Sequence, residues 1–438
     1  MSARREHALV LGAGVGGLLA ARALSGHFKA VTLVERDALP NGPESRKGVP
    51  QGRHAHGLLA RGLAIMETWF PGFTADLIAH GGADGDVGQK VGYLGYGVVL
   101  RPVETGLTAV AVPRPLLEYR LRRHLLERPN VFVRDGLAID DVVYDPENAR
   151  VTGAVVRTAG GAAEHIAADL VVDARGRGAP VALVLRKWGF DAAPEEAIEI
   201  GLGYTRRVYR RREGDLGGRI AVIIPGGPPN WRTGVIVAHG EDGWMVTIGG
   251  YFGDHPPADE AGYLAFARSL PTQDIAEVMA RGEPLSDFAS FNYPASRRRR
   301  FAGMRFPSGY LPFADAICSF NPVYGQGMTV AAEQSEILDR LLRAREPSLA
   351  PAFFAKADAI IDRAWAVSAG NDLRHPDVTT RASLPARVIN RYIGRVHRAA
   401  ARDPVVSRAF IRVANMIDPP PSLFAPAILS RVMLARAR

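Results

Sequence analysis

Residues 7–36 read HALVLGAGVGGLLAARALSGHFKAVTLVER, an order of residue types that spells strand, glycine turn, helix, strand, acid. Gly12, Gly14 and Gly17 give G-x-G-x-x-G spacing directly after the apolar run Ala8 to Leu11, with Ala13 between the first two glycines. Leu18 to Leu24 continue with helix formers, and Glu35 closes a second apolar run, Ala30 to Val34. In a βαβ dinucleotide fingerprint each of these residues has a physical task. Gly12 permits the tight strand-to-helix turn, Gly14 lets backbone approach a pyrophosphate with no Cβ in the way, and Gly17 lets the helix pack close to the strand. The helix N-terminus then turns free N–H groups to the phosphates. Glu35 stands where a carboxylate accepts hydrogen bonds from ribose hydroxyls and repels a 2′-phosphate, which argues against NADP at this site. A glycine-rich βα turn in another kind of α/β enzyme is the plainer alternative. Met1 to Ser25 has the outline of a secretory signal, but the spaced glycines and the immediate return to a strand account for the segment better.

Around this stretch the 438-residue chain is ordinary in composition, with 47% hydrophobic and 23% charged residues, and long enough for two or three structural units. Its one cysteine, Cys318, excludes an intrachain disulfide and a cysteine-cluster metal site, and suits a reducing, cytoplasmic setting. His54 and His56 are ligands by type, yet no nearby Cys, Asp or Glu completes a set, so no metal is expected. No apolar run reaches the length of a transmembrane segment. The net charge of +9 is carried almost wholly by arginine, only Lys29, Lys47, Lys90, Lys187 and Lys356 being lysines. Such a skew matches GC-rich codon usage better than selection for phosphate contacts. The run Arg297 to Arg300 reads as a solvated face, and nucleic acid is not an expected partner.

After Glu35 a polar loop spans residues 37–52, followed by RHAHGLLARGLAIMETWF, whose apolar spacing predicts a helix from Leu58 to Phe70, stopped by Pro71-Gly72. Arg53, His54 and His56 stand at its entrance as polar groups beside a ligand, with plain surface histidines as the alternative. VPRPLLEYRLRRHLLE predicts a helix behind Pro115, with Arg114 at its entrance, either a surface charge or a group that reaches a cofactor. From Val131 the period shifts to two, and VFVRDG, VVYD, VTGAVVRT and ADLVVDA read as a meander returning to the first domain at Leu170 to Ala174. Residues 200–252 hold four strand-like runs that predict an antiparallel sheet, on which Trp231, Trp244, Met245 and Tyr251 either wall a substrate pocket or fill a core. Ala258 to Ala280 reads as helical. The last ninety residues also read as helical, and from Arg391 nine arginines face only Asp403 and Asp418. They are read as a helical lid with a solvated basic face; capping of the substrate domain, contact with a membrane surface, or binding of an acidic carrier or reductase are the alternatives.

Residues 309–342, GYLPFADAICSFNPVYGQGMTVAAEQSEILDRLL, read as strand, acid, a turn with Asn321-Pro322 and Gly325-x-Gly327, then a helix. A second helix N-terminus behind glycines suits a negative group. No second strand and acid follow, so this segment serves the same ligand as the first.

The pairing of Gly12-x-Gly14-x-x-Gly17 with Asp315 and NPVYGQGM resembles the FAD-dependent monooxygenases of the para-hydroxybenzoate hydroxylase type. Within them it is most similar to bacterial members of natural-product pathways, including polyether-type flavin epoxidases. The resemblance covers residues 5 to about 345. It implies an α/β fold in which a Rossmann-like FAD-binding domain carries an inserted, mainly antiparallel β substrate domain and a C-terminal helical region. The corresponding division is FAD-binding segments at 1–75, 113–185 and 296–345, substrate-domain segments at 76–112 and 186–295, and the helical region at 346–438. It further implies that Glu35 binds the adenosine ribose with Arg36 beside it, that Arg114 reaches the cofactor, and that Asp315 binds the ribityl or pyrophosphate region. Pro322 would face the flavin ring, and Gly325, Gly327 and Met328 would open the helix at its pyrimidine edge. Arg53 joins this set from the turn PQGRHAHGLL. Two positions depart from the pattern: the family's Gly-Asp is Ala314-Asp315, and its middle motif, Asp-Gly followed by Ser, is Arg175-Gly176 with Ala179. The electron donor is accordingly either NAD(P)H or a partner reductase. The implied activity is insertion of one oxygen from O2 into an apolar unsaturated small molecule in secondary metabolism, such as antibiotic biosynthesis, with epoxidation preferred over hydroxylation. A flavin dehydrogenase or reductase on a prenyl or polyketide chain is the second reading, and a non-catalytic carrier of FAD or lipid the third. The mechanism requires no catalytic acid or base, and none is assigned.

Overall fold

The computed structural model describes residues 5–48, 52 and 54–435. Its first strand, Arg5–Leu11, runs parallel to Phe28–Val34 on one side and Leu170–Asp173 on the other. Tyr310–Pro312 and Val131–Arg134 complete a five-stranded parallel sheet at its two edges. The central strands are buried on both faces, which is why they read as continuous apolar runs rather than alternating ones. Helices Val15–Ser25 and Gly327–Arg343 pack on this sheet and on each other.

The register lines up the carboxyl ends of four strands: Leu11 is opposite both Val34 and Asp173, and Asp173 is opposite Pro312. The residues that follow them, Gly12, Glu35, Ala174 and Phe313 to Asp315, therefore share one rim. In open α/β sheets that rim is where ligands bind.

An eight-stranded sheet forms the second unit, in the order Cys318–Ser319, Ala289–Arg299, Glu195–Arg210, Gly243–Gly250, Thr233–His239, Ala221–Ile224, Val91–Gly95, Val98–Val99. All its pairings are antiparallel except Ala221–Ile224 with Val91–Gly95. Helices Glu260–Arg268 and Asp274–Arg281 cover one face with a core around Trp244, Tyr263 and Ile275. The chain closes with helices Leu349–Asp372, Leu384–Ala400, Pro404–Ala414 and Pro426–Leu434. The fold is thus α/β, with a Rossmann-like unit, a mainly antiparallel sheet and a helical C-terminus.

Three local expectations are corrected. Val131–Arg134 joins the parallel sheet, and only Leu137–Asp145, Arg150–Thr158 and Ala163–Ala167 form the meander. The helical stretch at 258–280 is two helices, broken where Pro271 removes a donor and restricts the residue before it. The arginine run is not a solvated face: Arg298 is fully buried between Asp358 and Asp362, at 3.1 and 2.5 Å, while Arg299 and Arg300 pair with Glu195 and Glu196. Acids on a neighbouring strand and a following helix, both distant in sequence, neutralise the run.

Candidate functional site

At the rim, Gly12 has φ of +100°, and a Cβ there would lie 2.7 Å from the Ala174 carbonyl oxygen. Helix Val15–Ser25 begins after Gly14 with no side-chain cap, so its first N–H groups are left to a ligand. A Cβ on Gly14 would meet only an Arg46 nitrogen, at 3.8 Å, so this glycine faces open space. Glu35 is buried and accepts hydrogen bonds from the Ala13 N–H (2.9 Å) and the Asp37 N–H (3.2 Å). It therefore fixes the turn from the end of the neighbouring strand.

The residue that sequence reasoning missed is Arg46. Its guanidinium is 2.9 Å from Glu35 and 2.7 Å from Glu118, with Asp37 at 3.4 Å. Burial works against its charge, yet Glu118 and Glu35 hold it above the ordinary arginine value. Glu118 also lies 3.5 Å from Arg114, one helical turn away, and the buried Arg114 Nε has no hydrogen-bond partner among the described residues. A buried guanidinium nitrogen left without an acceptor beside the rim is uncommon in a folded protein. Arg36 points to solvent. Arg53 lies outside the described residues.

The second motif arrives at the same rim. Ala314 is held at φ +54°, with its N–H donating to Gln334 Oε1 at 2.8 Å. A Cβ on Gly16 would sit 2.8 Å from the Ala314 methyl, so the alanine in place of the family's glycine is accommodated by a glycine on the facing helix. Ala314→Gly is expected to stabilise the protein by about 1 kcal/mol, because a left-handed conformation penalises an L side chain. Chemical denaturation checks it, and a loss of stability would show the strain is absent.

Burial raises the Asp315 carboxyl above its ordinary value, partly offset by Arg114 and by Arg177. Asp315 faces the start of helix Gly327–Arg343, where a Cβ on Gly327 would lie 3.7 Å from its Oδ1. That helix has no side-chain cap. The turn before it is shaped by Asn321, whose side chain accepts from the Val323 N–H, and by Gly325 at φ +63°, against the Gly57 carbonyl. Pro322 is exposed, while Met328 is buried in the core under the helix. His56 stands at the same corner, its Nδ1 donating to the His54 carbonyl at 2.9 Å. Burial and the Arg114 charge push its imidazole down to about 3, so it is neutral.

A cavity of about 320 Å³ begins at this turn. Pro322 to Gln326 and His56 to Leu59 form its floor, Val91, Ile223 and Val235 of the large sheet one wall, and Ile393, His397 and Phe410 of the C-terminal helices its cover. The lining is mostly apolar, with Tyr93, Tyr96, Tyr324 and Asn371 among its few polar side chains. Trp231, Trp244, Met245 and Tyr251 do not line it. Trp244 is in the core and donates to Asp215 at 2.9 Å, and Trp231 and Tyr251 pack around His375. The alternation assigned these residues to a sheet, but the covering helices decide which face is core.

Arg175 is tied down. Its guanidinium donates twice to Asp173, at 2.9 and 2.6 Å, and Tyr310 donates to the same fully buried carboxylate at 2.7 Å. Burial opposes the charge, and Asp173 more than offsets it.

No family model matches the chain. Protein Rv3254 of Mycobacterium tuberculosis is 33% identical over 94% of this chain and 90% of its own length. Kynurenine 3-monooxygenase of Salinispora arenicola is 26% identical over 93% and 86%. Among solved structures, that of the flavin-dependent brominase Bmp2 superposes with a TM-score of 0.70 at 16% identity, covering 97% of this chain and 98% of that one. The chain therefore belongs to the family of Protein Rv3254, on the fold shared by flavin-dependent monooxygenases and halogenases.

Proposed function

We propose that this chain is an FAD-dependent monooxygenase that transfers one oxygen atom of O2 to an apolar unsaturated small molecule. The observation that carries the reading is the apolar cavity opening onto the Pro322 to Gln326 turn, at the uncapped N-terminus of helix Gly327–Arg343. The residues present fit FAD. Gly12, Ala13 and Gly14 would form the turn under the pyrophosphate, with Gly17 letting the helix pack against it, Glu35 at the ribose, and the Arg114 Nε and Asp315 toward the middle of the ligand. Pro322, Gly325 and Gly327 would face the ring, where the helix dipole favours negative charge.

Bound and reduced, FAD would supply the activation of O2. The protein's own share is positioning and dryness: Val91, Ile223, Val235 and Phe410 exclude water and hold an apolar substrate against the turn. Neutral His56 adds no competing charge. Epoxidation of an alkene in secondary metabolism is the preferred form, on the resemblance to natural-product epoxidases. Electrons come from NAD(P)H or a partner reductase.

The test is mass spectrometry of products from lipophilic alkenes and phenols under ¹⁸O2 with FAD-loaded protein and a reductant. One labelled oxygen per product, with alkenes outpacing phenols, is expected. Turnover without label would replace the reading with a dehydrogenase or reductase acting on a prenyl or polyketide chain.

A further inference from the structure

We propose that the C-terminal helical region docks on an anionic lipid surface, and that the cavity takes its substrate from there. Helix Leu384–Ala400 projects its first two turns into solvent. Leu384 is 69% exposed, Val388 66% and Ile389 46%, so the first two are mostly in water and Ile389 about half. The same helix carries Arg387, Arg391, Arg395 and Arg398 and no acidic residue. Leu384 and Val388 are one turn apart, as are Arg387, Arg391 and Arg395, so apolar and basic side chains run side by side along one surface.

Neighbouring elements extend the surface. The ring of Phe424, 42% exposed, stacks on Tyr392 at 4.5 Å. Met433, 58% exposed, has its sulfur 3.6 Å from Arg395 on the adjoining helix Pro426–Leu434, where Leu429 and Leu434 are exposed too. Large contiguous apolar patches on a protein surface mark interaction sites, and these exposed side chains lie on neighbouring elements. Basic residues interleaved with apolar ones is the pattern of a helix lying in a bilayer interface, where arginines meet anionic headgroups and aliphatic side chains enter the acyl boundary. A second copy of the chain is the less suitable occupant, because a two-fold contact would set this arginine-rich face against itself. Among the described residues no helix is long and apolar enough to cross a membrane, so the contact is peripheral.

Continuity with the cavity gives the surface a purpose. Ile389 is both exposed here and part of the cavity wall, and Asn390, Ile393 and Leu423 line the cavity from the same two segments. An apolar substrate dissolved in the bilayer would reach the cavity past Ile389 without crossing water. Delivery rests on the cavity being the substrate site, whereas docking is read with no cofactor or turnover, so the two fail separately.

The experiment is flotation of the full chain with phosphatidylcholine vesicles, with and without phosphatidylglycerol, at low and high salt. Binding to the mixed vesicles is expected, about tenfold weaker on phosphatidylcholine alone and at high salt. The double variant Leu384→Ser/Val388→Ser should lose about tenfold in vesicle binding with an unchanged melting temperature, both side chains being exposed. No vesicle binding, equal binding to both lipids, or an unaffected double variant would each overturn the proposal. So would a wild-type dimer that the same substitutions turn into a monomer, which would assign the face to a second copy.

Discussion

Gly17→Ala is expected to destabilise the protein by about 3 kcal/mol or more and to abolish FAD retention. A Cβ at residue 17 would lie 1.9 Å from the Gly12 carbonyl oxygen and 3.5 Å from Val10. The obstacle is backbone, so relief requires moving the turn away from the helix it opens. That turn is held by the Gly12 N–H on the Val34 carbonyl and the Ala13 N–H on Glu35, and it sets where Gly14 and the uncapped start of the helix lie; the same displacement would break both bonds. Gly14→Ala separates the two jobs of the fingerprint. Gly14 sits at φ −72° in extended backbone that alanine adopts freely, and among the described residues the nearest atom to a Cβ added there, chain neighbours apart, is an Arg46 nitrogen at 3.8 Å. Its variant should melt like wild type without cofactor, within about 0.5 kcal/mol, and bind FAD at least about tenfold more weakly, because only a ligand occupies that space. Denaturation of the apoprotein and titration with FAD measure both. A Gly17→Ala protein with wild-type stability, or a Gly14→Ala protein with wild-type FAD affinity, would remove the dinucleotide assignment from this turn.

The contrast between these glycines also marks what was legible in the sequence. Gly12, Gly14, Gly17 and Glu35 are encoded within thirty residues, and so is the run from Asp315 to the helix at Gly327, because a turn and the element it opens are local. Of the parallel sheet only the strands beside these turns followed for the same reason, whereas Val131–Arg134 at its edge looked like part of the meander. Arg46 was not legible: its placement needs Glu118, distant in sequence, to arrive beside Glu35, and the loop that carries it has no periodicity. The cavity escaped in a similar way. His397 and Phe410 of its cover meet Tyr93 in, and Tyr96 just after, the strand Val91–Gly95, some three hundred residues earlier, a pairing that no local pattern states. Trp244 shows the limit of alternation. A period of two separates two faces but does not say which one Glu260–Arg268 and Asp274–Arg281 will cover. Arg175 departs from the family's middle motif, and its bidentate pairing with Asp173, two residues before it, was not legible from that departure.

Asp372→Asn is expected to stabilise the protein at pH 8 by roughly 2 to 4 kcal/mol and to leave it unchanged near pH 4. Asp372 is fully buried at the end of helix Leu349–Asp372. One of its oxygens accepts from the Asn321 side chain at 2.9 Å, and the other has no partner among the described residues. Burial pushes the carboxyl up to about 7, with the Asn321 hydrogen bond only partly opposing it. The negative end of the helix acts in the same direction. In the unfolded chain the group loses its proton at about 4. Between these values the folded state binds a proton that the unfolded state has released, so stability falls as pH rises from about 4 to about 7 and stays lower above. The whole interval corresponds to about 4 kcal/mol as an upper bound, since a tenfold difference in proton affinity is worth about 1.4 kcal/mol. Asparagine keeps an acceptor for Asn321 and cannot ionise, so it removes the loss. The consequence reaches the site, because Asn321 caps the Pro322 to Tyr324 turn at the cavity floor and also donates to Tyr251. An ionised Asp372 places an unpartnered charge one hydrogen bond from that turn. Denaturation of wild type and variant from pH 4 to 9 should give curves that coincide at the acid end and diverge through pH 7. Parallel curves across the range would show that Asp372 is already ionised, with a further partner on its second oxygen.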